Sequence, residues 1–201
     1  MKLATVLYED SKIGRDFPLH HLILRMTEDD INGETWRLRQ CVLDNPRNGV
    51  DLVLKELPRT KLVAGTGKLF VLVDRDRIVQ HINQMLPRGQ KAVPSGATDD
   101  VIVNALRGFS NAPEQLEVFL LYPNMEGLMA TIAQCAPGQW TEQLALARKK
   151  VRTARDAVLS AVATATNHAV RKCIREHQPG LDGLARALAG LLGPQTQGGA
   201  A

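Results

Sequence analysis

Five consecutive apolar residues, Leu69-Phe70-Val71-Leu72-Val73, run without a polar break into Asp74-Arg75-Asp76. A surface helix would interrupt such a run every third or fourth residue, and a half-exposed strand would alternate apolar with polar. An unbroken run of this length, rich in β-branched and aromatic residues, is what a strand buried on both faces requires. It predicts a central strand over 68–76. Strands buried on both faces belong to parallel sheets, whose crossover connections lay helices over each side. At 201 residues and 44% hydrophobic, the chain is long and apolar enough to fill one such core and carry an extension.

The rest of the sequence supplies the alternation that this strand demands. Residues 3–8 form another continuous apolar run, cut off by Glu9-Asp10. Residues 18–26 carry Leu19, Leu22, Ile23 and Met26 on one helical face, begun by Asp16 and Pro18. A second strand is predicted over 36–43, then a short helix over 50–57 with Asn48 as its cap and Pro58 as its stop. Helices over 78–86 and 99–106 lead to a last strand over 116–122, which closes into Pro123-Asn124 and a helix over 125–135. The order βαβαβαβ implies an α/β fold: a mostly parallel sheet of about four strands flanked by helices, whose ligands bind beyond the carboxyl ends of the strands. From Thr141 the texture becomes Ala-rich. One long helix is predicted with Leu144, Val151, Ala154, Val158, Val162, Ala165 and Ala169 as its apolar positions, and a second over 181–192 after Pro179-Gly180. The expected organisation is an α/β domain over 1–136, a helical hairpin over 137–192 and a disordered Gly/Gln/Ala-rich tail over 193–201.

Several function classes are set aside on composition. Glu9 and Asp10 interrupt the first apolar segment too early for a secretory signal. No segment approaches the roughly 18 apolar residues that span a bilayer. A cytoplasmic protein without a membrane partner is expected. Cys41, Cys135 and Cys173 are odd in number and far apart, which suits neither a disulfide framework nor paired zinc ligands, so they read as reduced packing residues. A net charge of +4 permits a polyanionic partner without demanding one.

The chemistry lies in three acids at the carboxyl ends of two predicted strands. Glu9 closes the first, and Asp74 and Asp76 stand two apart at the end of the central one, the spacing that puts strand side chains on one face. Oxygen ligands gathered in this way suit Mg²⁺, which keeps several waters and leaves positions for phosphate oxygens. The plainer reading is that acids at strand ends are ordinary turn residues.

The combination of Leu7-Tyr8-Glu9-Asp10 with Val71-Leu72-Val73-Asp74-Arg75-Asp76 across a βα alternation resembles the signature of the TOPRIM (topoisomerase–primase) fold. Tyr122-Pro123-Asn124-Met125-Glu126-Gly127 is similar to a later acidic motif of overcoming-lysogenization-defect nucleases and related bacterial TOPRIM-like proteins. Together the resemblance covers roughly the first two-thirds of the chain. It implies Glu9 as general acid/base, Asp74 and Asp76 as ligands of Mg²⁺ or Mn²⁺, and Asp10 and Glu126 as candidate ligands of a second ion. It further implies a nuclease or nuclease-like subunit acting on nucleic-acid phosphodiesters with a separate ATPase partner, in phage defence. The sequence departs from the family where many members carry glycines: Asp10 follows Glu9, and Arg77-Ile78-Val79 follows the D-x-D. A second reading is therefore a non-catalytic TOPRIM-like subunit that forms a homo- or hetero-oligomer through its C-terminal helices. A third is a receiver- or haloacid-type α/β domain, though both families need a lysine on a later strand and none stands in 116–122.

Other signals carry less. Gly65-Thr66-Gly67-Lys68 lacks the earlier glycine and the following Ser/Thr of a P-loop and leads into a strand. His20, His21, His81, His168 and His177 show no metal-binding spacing, and the isolated Tyr8 and Tyr122 do not support topoisomerase chemistry. Arg148, Lys149, Lys150, Arg152 and Arg155 form the densest basic cluster. On one helix Arg148, Arg152 and Arg155 would share a side, so Arg148, Lys149, Arg152 and Arg155 are candidate nucleic-acid contacts, against the alternative of a solvated face without stacking aromatics.

Overall fold

The structure is a computed structural model describing residues 2–10, 17–31 and 35–192. Its elements run β1 (Ala4–Tyr8), α1 (Pro18–Glu28), α2 (Thr35–Cys41), β2 (Val42–Pro46), α3 (Val50–Glu56), α4 (Thr60–Ala64), β3 (Lys68–Asp74), α5 (Ile78–Met85), α6 (Asp99–Gly108), β4 (Leu116–Leu121) and α7 (Met125–Cys135). Four more helices follow: α8 (Thr141–Arg148), α9 (Arg152–Val162), α10 (His168–His177) and α11 (Pro179–Gly190). The predicted start of α1 at Asp16 and the tail from 193 lie outside the described residues. Among those described, no helix is long and apolar enough to cross a membrane.

All four strands are parallel, in the order β2-β1-β3-β4. The apolar runs explain why β1 and β3 are central. Alternate residues of β3 feed two separate cores, Phe70 and Leu72 facing one side with Val6 and Tyr8, and Leu69, Val71 and Val73 facing the other. Each such side chain contributes about 1.5–3 kcal/mol by leaving water. Helices α3, α5 and α6 cover the second face. The first is covered by α1, α7 and the C-terminal helices, whose Leu144, Val158, Val162, Ile174 and Leu184 belong to the same cluster as the sheet residues. Gly180 lets α11 lie against β4, because a Cβ there would meet the Leu120 carbonyl oxygen at 1.9 Å.

Several boundaries differ from expectation for identifiable reasons. The strand predicted over 36–43 is helix α2 followed by β2: only Leu38 of its seven residues is buried and Trp36 is 57% exposed, so the Trp36/Leu38 alternation marks a helix surface. Strand pairing begins at Val42, opposite Ala4. Gly49, at φ 105°, occupies the cap position expected for Asn48, and Pro58 sits in a 3-10 turn over Leu57–Arg59 that leads into α4. The single helix predicted from Thr141 is three helices. Lys150 takes a left-handed φ of 66°, and its N–H reaches the Ala147 carbonyl while that of Val151 reaches Leu146, the reverse turn that ends helices at glycine. Val151 is consequently 38% exposed. The next break follows Val162, where the Thr164 hydroxyl and Asn167 amide donate to the Ala161 carbonyl.

Two long-range links tie the C-terminal helices down. Arg171 on α10 is fully buried, its guanidinium donating to both oxygens of Asp29 at 2.6 and 2.9 Å and to the carbonyl oxygens of Val162 and Thr164. A buried cation is tolerable only when paired in this way. The second link corrects the expectation of reduced cysteines. Cys135 at the end of α7 is disulfide-bonded to Cys173 of α10, and Cys41 is free. A separation of 38 residues gave no hint that the fold would bring the two Cα atoms to 5.6 Å.

Candidate metal centre

Parallel register brings the carboxyl ends of β1, β3 and β4 to one edge, with Tyr8 opposite Leu72 and Asp74 opposite Leu121. Glu9 continues the ladder by one bond, its N–H donating to the Leu72 carbonyl at 3.3 Å. Its side chain turns across the edge, where Oε2 accepts from the Asp74 N–H at 2.9 Å. Asp74 is the last residue of β3, whereas Asp76 lies in the turn beyond it. Strand parity therefore does not position Asp76, contrary to the simple two-residue rule. The turn is held instead by the loop after β4: the Arg75 N–H donates to the Leu121 carbonyl and the Asp76 N–H to that of Pro123, both at 3.0 Å.

Asn124 connects this turn to α7. Its Oδ1 accepts from the Gly127 N–H at 3.0 Å, capping the helix, while its Nδ2 donates to Asp76 Oδ2 at 2.8 Å. Gly127 permits the tight approach, since a Cβ there would lie 2.1 Å from Pro123 Cδ and 2.7 Å from the Tyr122 carbonyl oxygen. The first turn of α7 is thereby fixed with Glu126 facing the acids, and the Met125 N–H bonds to the Asp74 carboxylate. Buried Gln178, between α10 and α11, clasps the same loop: Oε1 accepts from Tyr122 N–H at 3.1 Å and Nε2 donates to the Tyr122 carbonyl at 2.7 Å.

These elements enclose a cavity of ≈ 270 Å³ lined by Glu9, Asp10, Asp74, Asp76 and Glu126, with Lys150 and Arg155 among its basic residues. Burial, followed by repulsion from Glu9, Asp76 and Glu126, pushes the Asp74 carboxyl up to about 8. Burial also raises Glu9; the Asp74 N–H bond opposes this, and the charges of Asp76 and Asp10 add to it. Both carboxyls are thus held partly out of water and among like charges. Among the described residues, the oxygens of Glu9, Asp74 and Asp76 do not all come within 4.8 Å of one another, as mutual repulsion and the Glu9 bond to the backbone lead one to expect. Hard carboxylate oxygens around a polar, water-accessible space nevertheless match the ligand chemistry of Mg²⁺ or Mn²⁺.

The remaining sequence candidates are divided. Asp10 lines the cavity but its Oδ2 is 2.7 Å from Arg155, and Glu126 is 3.6 Å from Lys150. Arg152 is 3.7 Å from Asp156 on its own helix. Arg148 ends α8 and Lys149 is exposed in the turn, so the basic residues occupy two helices and a turn instead of one helical face. Asn124 and Lys150 are the site residues that sequence reasoning left without a role. The first had a legible signal, an asparagine immediately before a helix, whereas Lys150 was hidden inside what reads as continuous helix.

No family model matches the chain, and no curated protein matches it. Among solved structures, it is similar to the C-terminal region of the OLD protein of Xanthomonas campestris pv. campestris, at 14% identity over 94% of each chain with a TM-score of 0.41, a likeness too loose to assign an activity.

Proposed function

We propose that the chain is a metal-dependent nuclease or nuclease subunit that hydrolyses nucleic-acid phosphodiesters at the edge formed by Glu9, Asp74 and Asp76. The observation that carries this reading is the gathering of five acids around one cavity, four from the ends of β1 and β3 and Glu126 from the first turn of α7, where burial and then repulsion from Glu9, Asp76 and Glu126 raise the Asp74 carboxyl to about 8. Asp74 and Asp76 would hold Mg²⁺ or Mn²⁺, with Asp10 and Glu126 available to a second ion. The bound cation would polarise the phosphoryl oxygens and stabilise charge that develops on the leaving oxygen.

The protein's own groups supply the remainder. Glu9, anchored through one oxygen to the Asp74 N–H, accepts a proton from water with the other; its raised affinity for protons suits that task. Asn124 fixes the orientation of Asp76. Lys150 and Arg155 place positive charge at the cavity for the phosphate backbone, and Arg148, Lys149 and Arg152, near them in the chain, would add further backbone contacts. Contacts of this kind read the backbone and weaken with salt. By the TOPRIM resemblance, a separate ATPase partner and a role in phage defence complete the proposal; the early break of the first apolar segment by Glu9 and Asp10 adds a cytoplasmic location.

The test is cleavage of supercoiled DNA, linear DNA and RNA by the purified chain, alone and with a cognate ATPase, in Mg²⁺, Mn²⁺ or EDTA. Cleavage should require the metal. Asp74→Ala should abolish it with the fold intact by circular dichroism, and Glu9→Gln should slow it on the order of a hundredfold or more. Cleavage unaffected by both substitutions refutes the mechanism. The ion pairs of Arg155 with Asp10 and of Lys150 with Glu126 favour a second reading, a non-catalytic subunit in which the candidate ligands of a second ion are already neutralised from within the chain. In that case the wild type should be inactive with every metal and partner, and light scattering should reveal an assembly built through α8–α11.

A further inference from the structure

On the side of α7 away from the acids, three side chains meet that the proposed hydrolysis does not use. Cys135 ends α7, and Cys173 and His177 lie four residues apart on one face of α10. Both sulfurs and a ring nitrogen of His177 lie within 4.8 Å of one another, with His177 Nδ1 3.9 Å from Cys173 Sγ. The cysteines are half-buried and the histidine is exposed, so the group is open to solvent and to a solute.

We propose that this group is a redox-exchangeable zinc site: a disulfide when oxidised and a Cys135/Cys173/His177 centre for Zn²⁺, or a similarly thiophilic cation, when reduced. Tetrahedral zinc, with bonds of about 2.3 Å to sulfur and 2.0–2.1 Å to nitrogen, sets its ligand atoms about 3.5–3.8 Å apart. The nitrogen already stands near that distance from Cys173. Reduction gives each sulfur one electron and one proton from a dithiol, which itself closes to a disulfide, and frees the two sulfurs to move apart. Metal binding then displaces the two thiol protons to solvent, and water completes the fourth position. His177 accompanies this change by turning from the Cys173 carbonyl, 2.9 Å from its Nδ1, to the metal.

The consequence is a cross-link between α7 and α10 that survives in both redox states. It lies next to the loop that shapes the acidic cavity, since Gln178, the neighbour of His177, grips Tyr122 and donates to the Thr131 hydroxyl of α7 at 3.0 Å. Zinc in the reduced protein should hold that junction as the disulfide does in the oxidised one.

The test uses the full chain, reduced with a dithiol and desalted without oxygen, then titrated with Co²⁺ and with Zn²⁺. A thiolate-to-cobalt charge-transfer band should appear at one equivalent, should vanish on adding Zn²⁺, and should be absent from the oxidised protein, in which no thiolate exists at this site. Cys41→Ser should leave the band unchanged, which excludes the third cysteine. His177→Ala, at an exposed position, should weaken Zn²⁺ binding on the order of tenfold or more with the circular dichroism spectrum unchanged. Thermal melts should show Zn²⁺ raising the Tm of the reduced protein only. Absence of the band after reduction, or unchanged affinity in His177→Ala, overturns the proposal.

Discussion

Asp74→Asn should stabilise the metal-free protein, and the gain should depend on pH in a manner set by the site. The folded carboxyl titrates near 8 against an ordinary 3.8. Below the ordinary value Asp74 is protonated in both states and carries no penalty. As pH rises, the unfolded chain ionises first, so the Asp74 contribution is lost progressively up to about 8 and stays lost above it. Asparagine keeps the shape and can still accept from the Met125 N–H, but it has no charge to lose. Some four pH units at about 1.4 kcal/mol each give an upper bound of roughly 6 kcal/mol, which water entry and relaxation reduce to about 2–3 kcal/mol. For a chain of this size that is a Tm gain of about 5–10 °C above pH 8. Thermal melts in EDTA at pH 4, 6 and 8.5 measure it. Mg²⁺ should raise the Tm of the wild type at pH 8.5 but not that of Asp74→Asn, and the effect on the wild type should fade as protons compete below pH 8. Equal shifts at pH 4 and 8.5, or destabilisation at 8.5, would show that Asp74 is not charge-frustrated.

Three further substitutions probe the supports of the site. Lys150→Gly should remove the strain of a left-handed lysine and stabilise the fold by about 1 kcal/mol while weakening binding to nucleic acid, as read by urea melts and by a fluorescent-oligonucleotide titration. A loss of stability would mean that the Lys150 pairing with Glu126 outweighs the backbone term. Asn124→Ala should cost about 1 kcal/mol through the lost cap and also lower Mg²⁺ affinity by releasing Asp76; an unchanged metal titration would remove Asp76 from the ligand set. Arg171→Ala should leave Asp29 and two carbonyl oxygens without their partner and destabilise by about 3–5 kcal/mol in denaturant melts, with a shift under 1 kcal/mol refuting the assignment of Arg171 as an anchor.

The parts of this molecule that were legible in its sequence are those where one local property decides the outcome. Leu69 to Val73 could only be a doubly buried strand, and the run ending at Tyr8 needed the same environment, so the parallel sheet and the edge where Glu9 meets Asp74 followed from hydrophobicity alone. Helix α7 was equally clear from its apolar spacing over 125–135, and the structure adds that Asn124 caps its first turn and that Gly127 permits the close approach there. What stayed hidden depends on partners distant in sequence or on a residue in an atypical role. Trp36 and Leu38 alternate as a strand would, but Leu38 is buried while Trp36 is exposed, as opposite sides of a helix are and one face of a strand is not. Lys150 performs the turn that glycine usually performs, so the helix stop was masked, and with it the bend that carries Lys150 and Arg155 to the acids. Asp76 is placed by Asn124 across 48 residues, and no strand rule can supply that contact. The geometry of the acidic cavity is therefore a tertiary property laid over a locally encoded edge: β1 and β3 deliver Glu9 and Asp74 through backbone register, while the loop after β4 and the turn before α9 bring the groups that orient and neutralise the acids around them.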